Sequence, residues 1–563
     1  MARALPRNSD VAGQLELLAD LLELEGEASF RVVAYRRAAT RIRETAGSVA
    51  ELALAGRAKE LNGIGKTIEE KIVQVVEDGE MHALTKRKNI VPPEVVLFMR
   101  LPGLGPKTAA RIWRELGVTT IDELKRAAET EQLRTLTGLG AKTEERVLKA
   151  LAEKKQEPSD RRLLGDGLGA LLAVVSVLRE HPAAVEVSEA GSARRRKETF
   201  RDLDMIATAT DAEALIEYFT SLDWVIEVVA KGPSKATVLS NEGLRFDLRV
   251  VPPESYGNLL QHFTGSKDHN VALRERAVKD GLSVSEYSIT VVESGEELRY
   301  GSEAEVYERL GYQFIPPELR ENAGELEAAR KGELPKLVEL ADIKGELHCH
   351  STWSDGRHTL EQMARAVRDR GYAYMAITDH PRGTLAEQDL EVDQLNERLK
   401  PFRILKGIEV NIRVDGSLSL PDGELAARDW VMASLHGAFD RDPTERVLAA
   451  MDNPHVDCIG HLTARKINIR PPADVDVERV VAKAVETGTF LEINSQPNRL
   501  DLRDTHARLA GEAGVKVAVN TDAHELRALQ HVEMGVAQAR RAWLTKEQVL
   551  NTRTWPQIAK LLK

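Results

Sequence analysis

Ten of the 14 histidines lie between His348 and His531, interleaved with acidic residues. In ELHCHSTWSDG, His348 and His350 alternate, so on a strand they share a face, and Asp355 follows in a loop. Downstream come TDH (Asp379, His380), GIEV (Glu409), SLHG (His436), GHL (His461) and NTDAH (Asp522, His524). Imidazole suits Zn²⁺, Mn²⁺ or Fe²⁺, and a carboxylate can bridge two ions. His348, His350, Asp355, His380, Glu409, His436, His461, Asp522 and His524 make nine nitrogen and oxygen ligands, too many for one ion and suited to three. Clustered ions of this kind generate hydroxide near neutral pH and neutralise the charge of a phosphate.

A second constellation lies in AGSARRRKETFRDLDMIA. Asp202 and Asp204 alternate on an expected strand, and Asp247 occupies another apolar strand, LRFDLRVV. Side-by-side carboxylates repel unless cations lie between them, and an unpaired one is costly among apolar neighbours. Three convergent carboxylates can hold two Mg²⁺, one activating a primer 3′-OH and one gripping a triphosphate. Gly191, Ser192 and Arg195 would hold the triphosphate tail.

The third constellation is a repeat: LNGIGKTIEEKI from Leu61, LPGLGPKTAARI from Leu101 and LTGLGAKTEERV from Leu136. Each has Gly-apolar-Gly before a helical pattern. Such glycines let the backbone approach a ligand, and a following helix start aims unpaired N–H groups at a phosphate. The repeats resemble the helix-hairpin-helix motif, which implies that Gly63, Gly65 and Lys66, Gly103, Gly105 and Lys107, and Gly138, Gly140 and Lys142 form three grips for a DNA backbone, blind to base sequence.

The elements that must position these groups follow from periodicity. Residues 1–150 read as helices, with apolar residues at three-and-four spacing. Residues 151–320 mix a helix with strand-like runs. ELRENAGELEAARKGELPKLVELADIKG reads as a charged connector. From Gly345, short apolar strands alternate with helices, which argues for an α/β barrel-like domain with its ligand residues at strand C-terminal ends. The expected division is 1–85, 86–155, 156–255, 256–318, a linker over 319–342, and 343–563.

Composition narrows the function classes. Hydrophobic residues make up 42% and charged residues 30%, as in folded domains rather than disorder. The net charge of −11 argues against nucleic-acid binding by bulk charge alone, but residues 1–150 carry +2, which leaves room for local grips. Two cysteines exclude a disulfide framework and predict a reducing, cytoplasmic setting. MARALPRNSD has no apolar core of a signal peptide, and no run of 18 apolar residues predicts a membrane span.

Beyond these readings, GSARRRKETFRDLD, FDLRVVPPESYG and HFTGSKDHNVALRERAVKDGLSVSEYSI resemble, in one continuous order, the palm and thumb of X-family DNA polymerases. The resemblance spans about residues 10–315. It implies that Phe263 and Gly265 of the FTGS turn line the deoxyribose, that Asn270 contacts the nucleotide and that Arg274 lies near the template. Arg196 and Arg201 stand where glycines are usual, and His262 where tyrosine is common. AYRRAATRI followed by the first Gly repeat resembles the family's N-terminal lyase domain. There Lys71 matches the Schiff-base lysine for a 5′-deoxyribose phosphate, and Tyr35 a site tyrosine.

Residues 343–563 resemble the PHP family, named for polymerases and histidinol phosphatases. That resemblance places His348, His350, Glu409 and Asp522 around one metal, Glu409, His436 and His461 around a second, and Asp355, His380 and His524 around a third, with Mn²⁺ or Zn²⁺ as the ions. Asn494 and Arg499 would contact substrate phosphate. His358, His455, His506 and His531 match no motif.

Together these features predict a monomeric bacterial-type repair polymerase. It would add dNTPs in short gaps of gapped or nicked duplex DNA during base excision repair. Its PHP centre would act as a 3′-5′ exonuclease that processes 3′ ends and cuts abasic sites. The rival readings are a histidinol-phosphate-type phosphatase with a vestigial polymerase region, and a non-catalytic DNA-binding repair scaffold.

Overall fold

The computed structural model describes residues 5–6, 8–27, 29–45, 48–99, 101, 104–153, 161–382, 385–439 and 441–562. Gly103 and the expected boundary between 155 and 156 lie outside them. The chain divides into two compact units, Met1–Ser159 and Asp160–Lys563.

In the first unit, Val11, Leu15, Leu18 and Leu22 recur at three-and-four spacing on the helix Asn8–Glu25 and are buried against Val32, Ala39 and Ile42 of the helix Ser29–Glu44. The three repeats each place a helix directly after their second glycine: Lys66–Asp78, Pro106–Leu116 and Ala141–Glu153. Two repeats carry a brace that the repeat pattern alone did not single out. Glu69 accepts from the Ala58 N–H at 3.0 Å, and Glu144 from the Arg134 N–H at 3.0 Å, so each carboxylate ties its helix to the turn before it. Ala109 holds the equivalent place in the middle repeat.

The second unit begins with a mixed sheet of five strands among the described residues. Its order is Ala184–Glu189, Leu203–Ala209, Arg245–Val251, Lys235–Ser240 and Val225–Lys231. Leu203–Ala209 and Arg245–Val251 run parallel, in a register that sets Asp204 beside Asp247. Asp202 stands one residue ahead of its expected strand. The helices Tyr256–Thr264 and Lys267–Lys279, a small three-stranded sheet and the helix Glu303–Arg309 follow.

The C-terminal part holds seven parallel strands in chain order, from Gly345–Cys349 to Val517–Asn520. A bridge between Cys349 and Ala523 brings the last strand's end beside the first, so the barrel is nearly closed. Strands covered on both faces read as unbroken apolar runs, and every residue of Tyr374–Ile377, Trp430–Ser434 and Phe490–Asn494 is buried.

The charged connector is not a solvated tether. Glu325 is fully buried, where it accepts from His269 Nδ1 at 2.7 Å and from the Asn322 and Ala323 N–H groups. Glu318 pairs with Arg540 at 2.7 Å, which fastens the segment to the barrel. No described helix is long and apolar enough to cross a membrane.

Candidate functional site

The barrel's ligand-type residues collect at strand C-terminal ends, where parallel strands present their side chains to one rim. His348 lies one residue before the end of the first strand, Gly345–Cys349, His350 follows that end directly, and Glu409 lies near the end of the third, Arg403–Asn411. His380, His436, His461, Asp522 and His524 follow strand ends within a few residues.

All nine expected ligands meet. Glu409 is the hub: its Oε2 lies 3.4 Å from His348 Nε2, 3.6 Å from His350 Nε2 and 3.5 Å from His380 Nδ1. Its Oε1 lies 3.1 Å from His461 Nε2 and 3.5 Å from His436 Nε2. Asp522 Oδ1 lies 3.3 Å from His350 and 3.5 Å from His348. Asp355 approaches His350, His380 and His524 at 3.7, 3.8 and 3.5 Å. Three sets have donor atoms within 4.8 Å of one another: His348, His350 and Asp522; His350, Asp355 and His380; His380, Glu409 and His436. These sets overlap more than the partition implied by resemblance, because His350 and His380 each serve two.

The donors fit cations. Buried ring nitrogens of His348 (Nε2) and His350 (both), with Glu409 Oε1, have no hydrogen-bond partner, and such atoms are costly unless something binds them. Burial alone would raise the Glu409 carboxyl, but the His348 and His461 rings override it and hold it well below the usual range. Burial pushes His436 down to about 4, so its lone pair is free at neutral pH.

Sequence reasoning missed Glu492. It is fully buried, accepts from His348 Nδ1 at 2.7 Å, and also takes the His461 N–H at 2.8 Å and Asn520 Nδ2 at 3.0 Å. A carboxylate in the apolar run TFLEINS was the available signal, the same one that singled out Asp247. Asn494 Nδ2 donates to Asp522 at 3.0 Å, and Arg499 Nε lies 3.7 Å from the same carboxylate. Asp379 is a brace instead, accepting from the Ser351 N–H and hydroxyl and from Gln388, each at 2.7 Å.

In the mixed sheet, Asp202, Asp204 and Asp247 also meet. Arg245 Nε spans the outer pair, 3.3 Å from Asp202 and 3.2 Å from Asp247, and Thr237 donates to Asp247. Burial, then Asp247 and Asp202, push the Asp204 carboxyl up to about 7. A carboxylate so crowded by negative charge is stabilised by a cation. Gly191 is required here. Its φ is +61°, and a Cβ would sit 2.0 Å from Asp204 Oδ2.

The neighbouring loops close around this point. Arg195 donates to the Thr264 carbonyl at 2.5 Å and to Glu321 at 3.0 Å. Gly265 sits against it, since a Cβ there would lie 3.1 Å from Arg195 Nη1. Phe263 lies under the Arg249 guanidinium, 4.3 Å from ring centre. Asn270 donates to the His262 carbonyl at 2.7 Å, and Arg274 donates to His262 Nδ1 at 2.8 Å. Burial and the Arg274 cation hold the His262 imidazole below its usual range, so it is neutral.

In the first unit, Lys66, Lys107 and Lys142 are exposed at their helix starts, and Gly63 and Gly138 have φ of +84° and +87°. Gly65 and Gly105 are the residues preceding their helices, Gly140 likewise. Lys71 is half-buried on the first of these helices, and Tyr35 packs against the unit's core.

Known families match in the same order. A helix-hairpin-helix domain model matches residues 6–81, a SAM-like helix-hairpin-helix tandem 95–153, the DNA polymerase beta thumb 259–321 and the PHP domain 346–496. The chain is 38% identical, over 98% of its length and 99% of the relative's, to the DNA polymerase/3′-5′ exonuclease PolX of Bacillus subtilis (strain 168). It is 32% identical to a probable phosphatase of Thermoanaerobacter sp. (strain X514), over 37% of this chain and 89% of that protein.

Proposed function

The chain belongs to the PolX family of DNA polymerase/3′-5′ exonucleases, and on that footing we propose how its residues divide the work. It is a DNA polymerase with a metal-dependent 3′-5′ exonuclease, and it binds DNA and uses dNTPs. The phosphatase relative covers only 37% of this chain, which does not favour a small-molecule phosphatase with a vestigial polymerase region.

In the polymerase half, Asp202, Asp204 and Asp247 hold two Mg²⁺. Gly191, Ser192 and Arg195 receive the triphosphate. Phe263 and Gly265 lie against the deoxyribose, Asn270 orients the nucleotide and Arg274 stands near the template. In the PHP half, the nine clustered residues hold up to three Mn²⁺ or Zn²⁺. Bound divalent ions would activate the attacking oxygen and neutralise the phosphate. Glu492 fixes the His348 tautomer so that Nε2 faces the centre. Asn494 and Arg499 face the substrate phosphate.

The three helix starts track the backbone of a gapped or nicked duplex, through Gly63, Gly65 and Lys66, Gly103, Gly105 and Lys107, and Gly138, Gly140 and Lys142. Lys71 is the candidate Schiff-base nucleophile for a 5′-deoxyribose phosphate. We further propose that the enzyme acts as a monomer in base excision repair, filling short gaps, cleaning 3′ ends and cutting abasic sites. The domains divide as 1–85, 86–155, 156–255, 256–318, 319–342 and 343–563, the fifth of them docked rather than free.

One observation carries this reading: two separate carboxylate-lined centres occupy one continuous unit, each with the donor set of a divalent-metal phosphoryl site. The test is a gapped, 5′-phosphorylated duplex incubated with dNTPs and Mg²⁺ or Mn²⁺, with products resolved by length. Asp202→Ala or Asp247→Ala should abolish extension and leave trimming, and His348→Ala should do the converse. Extension by the Asp202→Ala enzyme would refute the polymerase assignment.

A further inference from the structure

Two loops carry histidines that meet the same oxygen of Glu409: the one after Trp430–Ser434, with His436, and the one after Cys458–Gly460, with His461. A stacked pair joins them. The Arg470 guanidinium lies over the Phe439 ring, 4.0 Å from its centre. Phe439 is three residues past His436, and Arg470 donates through Nε (3.0 Å) and Nη2 (2.5 Å) to the Ala464 carbonyl. The Ala464 N–H in turn donates to the His461 carbonyl at 2.8 Å. Arg470 is thus fixed at its flat face and at two of its nitrogens, which leaves Nη1 to act.

Most buried or half-buried arginines in this unit are matched with acids: Arg465 with Glu198, Arg541 with Asp504, Arg428 with Asp389. Arg470 is not; among the described residues no carboxylate pairs with it. Its charged neighbour is another cation. Burial first, and then Arg499, hold its guanidinium below the usual range. Arg499 itself lies at the ligand cluster, 3.7 Å from Asp522. The Ile467 N–H donates to the Asn498 carbonyl at 2.7 Å, which holds the loop of Arg470 beside that of Arg499, and two guanidiniums on adjoining loops without a shared acid are an arrangement that an anion relieves.

We propose that Arg470, held by Phe439, clamps the phosphodiester one linkage upstream of the scissile bond, beside the scissile phosphate that Arg499 faces. The inference rests on the exonuclease assignment to this centre and deepens it by naming the substrate class, a polynucleotide 3′ end. The nine clustered residues would hold the ions that serve the scissile phosphate. Phe439 and Arg470 stand on the two loops that carry the ligand histidines His436 and His461, and a small phosphomonoester has no second phosphate to place there. The rigid, planar guanidinium gives the bidentate geometry that phosphate recognition uses.

The test pairs a side chain with a charge on the substrate, in the full-length enzyme with Mn²⁺. Trimming is measured for an all-phosphate oligonucleotide and for one with a neutral methylphosphonate at the linkage next to the last. Arg470→Ala should lower kcat/KM on the first about 10- to 100-fold, as loss of a charge-assisted contact does, mainly through KM. The methylphosphonate should cost the wild-type enzyme a similar factor, and the variant on the modified substrate should lose little more. Mn²⁺ affinity by calorimetry should stay within about twofold, a readout that a collapse of the ligand loops would move. Arg470→Lys keeps the charge but not the fork. It should lose several-fold with the same non-additivity, and it serves if the alanine variant does not fold. Losses that multiply, or a parallel drop in Mn²⁺ affinity, would overturn the clamp. Unimpaired trimming by His348→Ala would instead refute the exonuclease assignment beneath it.

Discussion

Arg541 Nη1 donates to the main-chain carbonyl of Arg195 at 2.9 Å, across 346 residues of sequence. The same guanidinium reaches Glu321 at 3.1 Å and Asp504 at 2.5 Å. A helix of the barrel therefore holds the loop that we assign to the triphosphate. A second tie runs alongside, from Arg465 and Gln538 of the barrel half to Glu198, at 3.1 Å each.

Removing that guanidinium leaves Asp504 and Glu321 buried with less compensation, which costs about 3–5 kcal/mol for a broken buried pair. Arg541→Ala is expected to lower the urea midpoint. Below that midpoint it should raise the KM for dNTPs severalfold while changing 3′ trimming less. Primer extension and trimming on the same preparation check this, and equal losses in both would show that the tie does not single out the nucleotide loop.

The same network has a pH signature. Burial alone would raise the Glu321 carboxyl, but Lys197, Arg195 and Arg541 override it and hold it at about 2, below the ordinary 4.5. A depressed folded-state value means that the stabilisation is complete above the ordinary value and is lost as pH falls toward 2. Wild-type stability should therefore drop more steeply between pH 4.5 and 2 than that of Glu321→Gln. Parallel curves in urea titrations would exclude the contribution.

Gly191→Ala should cost extension at least about 100-fold, because the new methyl lands on Asp204 Oδ2 and the backbone there has φ of +61°. Trimming should be untouched. Single-nucleotide gap filling measures the first and a labelled single strand the second.

Glu492→Gln should weaken Mn²⁺ binding about 10- to 100-fold, as loss of a partner that orients a ligand histidine does. The amide keeps the shape but not the charge that opposes His348. Calorimetric titration with Mn²⁺ reads the change, and an unchanged affinity would mean that Glu492 serves only packing.

Metal should also stabilise the fold. At about 100 times its dissociation constant, a ligand that binds only the native state adds about 2.7 kcal/mol. Mn²⁺ is expected to raise the melting temperature of the wild type, EDTA to reverse it, and His348→Ala to blunt both. A chelator-insensitive melt in wild type would count against cations at the cluster.

Most of the chemistry was legible locally. His348 and His350 share a face because a strand repeats every two residues, and the Gly-apolar-Gly repeats precede helices because glycine permits the turn. Those rules act over a few residues, so the barrel, the helical first unit and the candidate donors that the fold brings together could be read from residue order. Alternation placed Asp202 on the strand that begins one residue later, at Leu203, because such rules locate elements better than their ends.

Residue order could not show which distant groups would meet. His348 finds Glu492 across 144 residues and Arg465 finds Glu198 across 267. The charged stretch before the barrel read only as a connector, and it took the fold to show that Glu321 and Glu325 each have a partner. Alternation and helix starts are properties of the local backbone, whereas pairing of buried charges depends on which surfaces pack together. The donor types were therefore set by the linear chain. Their convergence, the barrel's hold on the nucleotide loop and the stacking of Arg470 on Phe439 were decided by tertiary packing, because a buried charge must be matched wherever the fold carries it.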